Sequence, residues 1–283
     1  MIATSTPETS PSWIRTTLAG AGLAIVTLAT VGLTGTPAAD AAASERAMPT
    51  VILEHGAFAD ASSWTGVVKR LRHDGYPVIA AANPLRSPAS DAAYLRGLVD
   101  SVRGPVVLVG HSYGGSVIST AADGDDQVKA LVYIAAFAPD TGESAADLAA
   151  RFPGSTLSET LEPVPFTLPD GTSGTDLYID QDKFRRQFAA DVPAAITKVM
   201  AAAQRPVTAA ALEEKATKAA WKTIPSWTLI TTRDRNIPAA AQRFMAKRAR
   251  SHAVEVDASH AVSVSRPDTV TRLIEQAADA TVR

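Results

Sequence analysis

From about residue 50 onward, short apolar runs alternate with amphipathic stretches. Thr50–Glu54, Val78–Ala82, Val106–Val109, Ala130–Ile134, Trp227–Thr231 and Ala253–Val256 are mostly apolar without a break. Strands buried on both faces read this way, which predicts a parallel sheet covered by helices. Between the runs lie helical patterns. Ser62–His73 carries Trp64, Val67, Val68 and Leu71 at helical spacing and stops at Gly75. Ser90–Val102 places Tyr94, Leu95, Leu98, Val99 and Val102 on one face before Gly104-Pro105. Pro238–Arg250 and Pro267–Ala280 each open on a first-turn proline. The repeated β–α–β alternation predicts an α/β fold with a doubly wound sheet of about six mainly parallel strands and helices on both faces.

The alternation breaks between Ala138 and Ile224, where no strand follows in the expected register. Pro139, Pro153, Pro163, Pro165 and Pro169 fall here, followed by helical patterns around Lys183–Ala189, Pro193–Ala203 and Thr208–Ala220. A stretch this long reads as a functional insertion. We expect a helical cap over about residues 139–224, laid across the carboxyl ends of the strands, where open α/β sheets bind ligands.

The first forty residues read differently. A polar start with Arg15 precedes an uncharged run from Leu18 to about Leu33, then Gly35, Pro37 and an alanine cluster. This is the order of a secretory signal peptide, with cleavage expected after Ala41 or Ala43. Residues 1–43 are thus assigned to a signal and cleavage region, and 44–283 to the folded domain. A secreted protein is expected, with contact to a membrane only through the N-terminal segment if it stays uncleaved. As a spanning helix the run is diluted by Gly20, Gly22, Thr27, Thr30 and Gly32.

Composition narrows the chemistry. Lys+Arg (27) and Asp+Glu (29) nearly cancel to a net charge of -2, which argues against a nucleic-acid partner. With no Cys there is no disulfide, thiolate nucleophile or cysteine-ligated metal.

The run Val106–Val109 leads into Gly110-His111-Ser112-Tyr113-Gly114-Gly115 and then helical Ser116-Val117-Ile118. This is G-x-S-x-G in a strand–turn–helix setting, which lifts the serine hydroxyl above the sheet edge. A serine needs a base, and the base needs an orienting acid. Of five His, His260 follows the last strand with one helix still to come, the expected place for the base. Chain order in such sites is Ser, acid, His. Asp234, after the penultimate strand, is the expected acid; Asp140 is the alternative. Two backbone N–H groups must face the oxyanion. Tyr113, next to the nucleophile, and Ala57, in Glu54-His55-Gly56-Ala57-Phe58, are the candidates. The mechanism calls for no metal and no cofactor.

These residues resemble the α/β-hydrolase fold superfamily. Val51–Phe58 and Ser62-Ser63-Trp64 are most similar to the branch holding plant methylesterases, hydroxynitrile lyases and bacterial esterases. The resemblance implies Ala57 and Tyr113 at the oxyanion positions. The lyases carry a Lys after the catalytic His and a Thr hydroxyl in the first loop. Here those places hold Ala261 and Ala57-Phe58-Ala59. The expected function is therefore a serine hydrolase cleaving a small-molecule carboxylic ester through an acyl-enzyme. Lyase or perhydrolase chemistry on the same triad, or a non-catalytic binding protein, are the alternatives. Leu148, Phe152, Phe166, Tyr178, Phe184, Phe188 and Met200 supply apolar surface in the cap. With Tyr113, they suggest a small to medium apolar group, and Phe58, Phe152 and Phe184 are the expected substrate contacts. The same aromatics also suit the cap's own core.

Overall fold

The computed structural model describes residues 48–281. The expected signal and cleavage region lies outside the described residues. Among them, no helix is long and apolar enough to cross a membrane.

The chain opens on β1 (Thr50–Glu54), followed by a 3-10 turn (Ala61–Trp64) and α1 (Thr65–His73). Asp60 caps that turn, accepting from the Ser62 N–H at 2.7 Å. Next come β2 (Val78–Ala81), α2 (Pro88–Ser101), β3 (Val106–His111), α3 (Gly114–Ala121) and β4 (Val128–Ile134). Ser87 caps α2 and Pro88 sits in its first turn. After β4 the chain leaves the main sheet for α4 (Ala145–Arg151), β5 (Leu161–Thr167), β6 (Ser173–Ile179), α5 (Gln181–Phe188), α6 (Ala194–Ala203), β7 (Val207–Thr208) and α7 (Ala209–Glu213). It returns with β8 (Ser226–Thr231), α8 (Ala239–Arg248), β9 (His252–Val256), α9 (Val262–Ser265) and α10 (Pro267–Thr281).

The main sheet has six strands in the order β2-β1-β3-β4-β8-β9, every pair parallel. β1, β3 and β8 are buried throughout, which explains their unbroken apolar sequence. Alternate side chains feed two cores. Val51, Leu53, Val107 and Val109 pack with Trp64 of the 3-10 turn, Leu71 of α1, and Val270 and Ile274 of α10. Ile52, Leu108 and Leu131 pack with Leu95, Val99, Val117 and Ile118 from α2 and α3. The order reverses beside β1, so the loops after β1 and β3 lie together at the carboxyl edge, the switch point of such sheets.

The segment between β4 and β8 was expected to be a helical cap, but it also holds strands. β5, β6 and β7 form an antiparallel sheet. Pro163 and Pro165 argued against a strand, yet β5 is an edge, and these two alternate residues need no partner for an N–H. The turn signal is Pro169-Asp170-Gly171, with Gly171 at φ +88° and Leu168 N–H donating to Thr172 O at 2.7 Å. The helix expected over Thr208–Ala220 stops at Glu213. Beyond it the Ala216 N–H donates to Glu143 O, and the Gly142 N–H to Ala216 O, both at 2.8 Å. Bonding to that loop replaces the next helical turn.

α3 approaches the chain after β4 so closely that a Cβ on Gly115 would lie 2.2 Å from the Phe137 carbonyl oxygen. Gly115→Ala is expected to cost about 3 kcal/mol through this backbone clash. Gly97, inside α2, has nothing within 4 Å of such a Cβ. Gly97→Ala should add up to about 1 kcal/mol from helix propensity. Urea unfolding of both variants checks the pair: the midpoints should move in opposite directions at constant slope.

Candidate active site

Ser112 occupies the turn between β3 and α3 with φ +53°, a left-handed conformation rare for a residue with a side chain. Such a position costs on the order of 1–3 kcal/mol and persists because its surroundings over-determine it. Here the Ser112 N–H donates to Ile134 O at 3.2 Å, and its carbonyl accepts from Gly115 and Phe137 N–H at 3.0 and 3.1 Å. The loop after β1 runs against this turn. A Cβ on Gly56 would lie 2.6 Å from Ser112 Cβ, so only glycine permits the approach.

His55 shapes that loop. Its Nε2 accepts from the Asn83 N–H at 3.0 Å, which places the proton on Nδ1, donating to Gly56 O at 2.9 Å. Asn83 Nδ2 in turn donates to His55 O at 2.8 Å. Burial lowers the His55 pKa from 6.5 to about 4, so the ring is neutral. The Ala57 and Tyr113 N–H groups, both in buried residues, have no acceptor among the described residues.

Asp234 and His260 follow β8 and β9. Asp234 Oδ2 accepts from His260 Nδ1 at 2.7 Å, and neither side chain is more than 1% exposed. The same oxygen accepts from Thr231 Oγ1 at 2.9 Å and Gln242 Nε2 at 3.0 Å. Asp234 Oδ1 accepts from the N–H groups of Asn236 and Ile237 at 2.8 and 3.0 Å. The carboxylate is therefore saturated and its orientation determined.

The His260 loop is held from three sides. His111 Nε2 donates to His260 O at 2.9 Å, Ala261 N–H donates to Phe188 O at 3.0 Å, and Ser259 Oγ donates to Asp191. His111 is a structural clamp. Burial, then the nearby His260, lowers its pKa well below 6.5. Phe188 presents its ring edgewise to His260, with centroids 4.9 Å apart.

Ser112 and His260 open on a cavity of about 430 Å³, shared with Ala57, Phe58, Tyr113 and Phe152. No hydrogen bond joins the Ser112 hydroxyl to His260 among the described residues; in sites without a bound substrate such contacts are often long. Asp140 is elsewhere, paired with Lys222, and Asp234 alone among the two candidate acids reaches His260. Phe184 does not line the cavity, contrary to expectation. It is fully buried and stacks on Phe188 with centroids 5.1 Å apart, so it belongs to the cap's own core. Met200 lines a separate, smaller cavity, which shares Phe58 as a wall.

Sequence reasoning did not find Thr231, Gln242 or Asn83. Each is a buried polar residue whose role depends on contacts made across the fold. The one available signal was a glutamine among the apolar positions Ala241 and Met245 of α8.

A doubly wound parallel sheet with a strained serine between strand and helix, and a histidine–aspartate pair at its carboxyl edge, is the architecture of α/β hydrolases. The family model "Alpha/beta hydrolase family" matches residues 51–273, and the chain belongs to this family. The alpha/beta hydrolase nvfD of Aspergillus novofumigatus (strain IBT 16806) is 29% identical over 253 residues, covering 81% of this chain and 96% of that protein. A carbendazim hydrolyzing esterase of Nocardioides sp. (strain SG-4G) is 32% identical over 113 residues, covering 34% of this chain and 46% of the esterase. The crystal structure of polyneuridine aldehyde esterase shares the fold, with a TM-score of 0.71 at 17% identity, covering 81% of this chain and 98% of that one.

A second buried polar group ends β1. Glu54, at the end of β1, has no hydrogen-bond partner for either carboxyl oxygen among the described residues. Burial, then the charge of Asp91, raises its pKa well above 4.5. Asp91 is itself raised by burial although it accepts from Tyr113 Oη at 2.7 Å. A carboxyl raised in the fold contributes stability below its unfolded pKa and loses it as pH rises through the folded value. Glu54→Gln should therefore gain in melting temperature relative to the unsubstituted protein as pH goes from 5 to 9, as scanning calorimetry would show. A gap that stays constant across this range would contradict the account.

Proposed function

We propose that the protein is a serine hydrolase of carboxylic esters, with Ser112, His260 and Asp234 as nucleophile, base and orienting acid. The observation that carries this reading is the buried Asp234–His260 hydrogen bond beside a cavity that also contains Ser112. His260 takes the Ser112 proton as the hydroxyl oxygen attacks the ester carbonyl. The N–H groups of Ala57 and Tyr113 receive the negative charge on the carbonyl oxygen. Asp234, fixed by its other donors, holds the imidazole and stabilises its charged form. His260 then protonates the departing alcohol, and water attacks the acyl-enzyme by the same route, restoring Ser112.

Ester cleavage is favoured over the lyase reaction because Ala261 supplies no charge beside His260, and Ala57-Phe58-Ala59 supplies no hydroxyl. The names of the relatives, esterase and hydrolase, support the same direction. The substrate is a small-molecule ester. The reading extends to export: residues 1–43 act as a secretory signal, and the domain from residue 44 works outside the cell.

Ser112→Ala should lower kcat/KM for p-nitrophenyl butyrate by at least about a thousandfold while leaving the thermal unfolding curve in place. A fluorophosphonate probe should add one covalent mass to the peptide holding Ser112, and none to the variant. Undiminished hydrolysis by Ser112→Ala would remove Ser112 from the mechanism. Activity confined to the cell fraction, with none in the culture medium, would refute export.

A further inference from the structure

The cavity above Ser112 has an unusual wall. α4 contributes Ala145, Ala146, Ala149 and Ala150, spaced so that all four lie on one helical face. Leu148, on the other side of α4, is buried in the core and fixes the helix in place. The wall is thus made of side chains one carbon long, and the space that larger residues would fill belongs to the cavity. Among the described residues that line it, no Asp, Glu, Lys or Arg occurs. Ser112, a residue 7% exposed whose hydroxyl has no hydrogen-bond partner among the described residues, opens on this same space. A volume of about 430 Å³ far exceeds what an acetyl group needs and lies in the range that encloses a drug-sized molecule.

We propose that the site takes neutral esters carrying a bulky apolar group, a ring or branched chain, which lodges against the alanine face of α4. On this assignment Ala146 and Ala149 set the upper limit of substrate size. The inference rests on the ester-hydrolase reading above. An apolar ring gains by leaving water for this wall. A carboxylate on the substrate would lose its hydration with no cation to meet it. The site therefore selects by bulk and against charge.

Methyl cyclohexanecarboxylate and cyclohexyl acetate place the same ring on the acyl or the alcohol side, and methyl acetate lacks it. Monomethyl succinate and methyl butyrate compare a charged with a neutral chain. The unsubstituted protein should cleave at least one ring ester with a kcat/KM about tenfold above methyl acetate, and methyl butyrate about a hundredfold above monomethyl succinate. In Ala149→Phe the ratio of that ring ester to methyl acetate should fall at least tenfold, and in Ala146→Leu at least threefold. The ratio within one variant cancels any loss of folded protein. Ala146 is exposed on α4, so Ala146→Leu carries the test if Ala149→Phe does not fold. If esters are cleaved and Ser112→Ala abolishes cleavage, but the ratios are unmoved, the wall assignment alone is overturned. Cleavage of monomethyl succinate as fast as methyl butyrate overturns it equally. If no ester is cleaved at all, the hydrolase reading falls and this one with it.

Discussion

The Asp234 carboxylate is buried, and five donors converge on it: Thr231, Gln242, His260 and two backbone N–H groups. An isolated buried carboxylate would be severely destabilised by lost hydration, and removing one partner of such a pair commonly costs about 3–5 kcal/mol. Its environment therefore has to be built around it. Thr231 ends β8, Gln242 comes from α8, and Asn236 and Ile237 form the loop between them. The orientation of His260 follows from this arrangement, because Nδ1 meets an oxygen that has no freedom to turn.

The same economy governs the serine. Ser112 holds a left-handed backbone only because β4, α3 and the β1 loop press on it from three sides. The contacts that hold the strain also set the geometry around Ser112. Gly56 lets the first loop touch Ser112, and His55 with Asn83 braces that loop from behind. The result is two N–H groups that have no acceptor among the described residues, a costly state in a buried region. The segment between β4 and β8 takes part as well. Arg205 O accepts from Phe58 N–H at 3.0 Å, and Phe188 O accepts from Ala261 N–H. It thereby anchors both the first loop and the histidine loop, in addition to walling the cavity with α4.

Much of the sheet was legible because buried parallel strands leave a continuous apolar signature that needs no knowledge of their neighbours. All six strands of the main sheet and the flanking helices α1, α2, α8 and α10 were readable, with ends shifted by a few residues. The hairpin β5–β6 was not, because its edge position excuses Pro163 and Pro165, and edges are a property of the assembled sheet. Helix α7 was expected to run longer, since local propensity carries no trace of the bonds that Ala216 makes to residues 142 and 143. Phe184 shows the limit for side chains: an aromatic in a cap suits a pocket wall and a core equally well, and only its stacking on Phe188 separates the two.

The sequence by itself determined the fold class and marked Ser112 and His260 as candidates, with Asp234 and Asp140 both open as the acid, because apolar periodicity and the G-x-S-x-G turn are local signals. It also marked the glycines at which backbones must meet. Only the tertiary structure decided that His260 bonds to Asp234 rather than to Asp140, that His55 and His111 are neutral braces, and that α4 turns its alanines toward Ser112. Those outcomes depend on distances between residues far apart in the chain, and such distances exist only once the sheet has brought its carboxyl ends together.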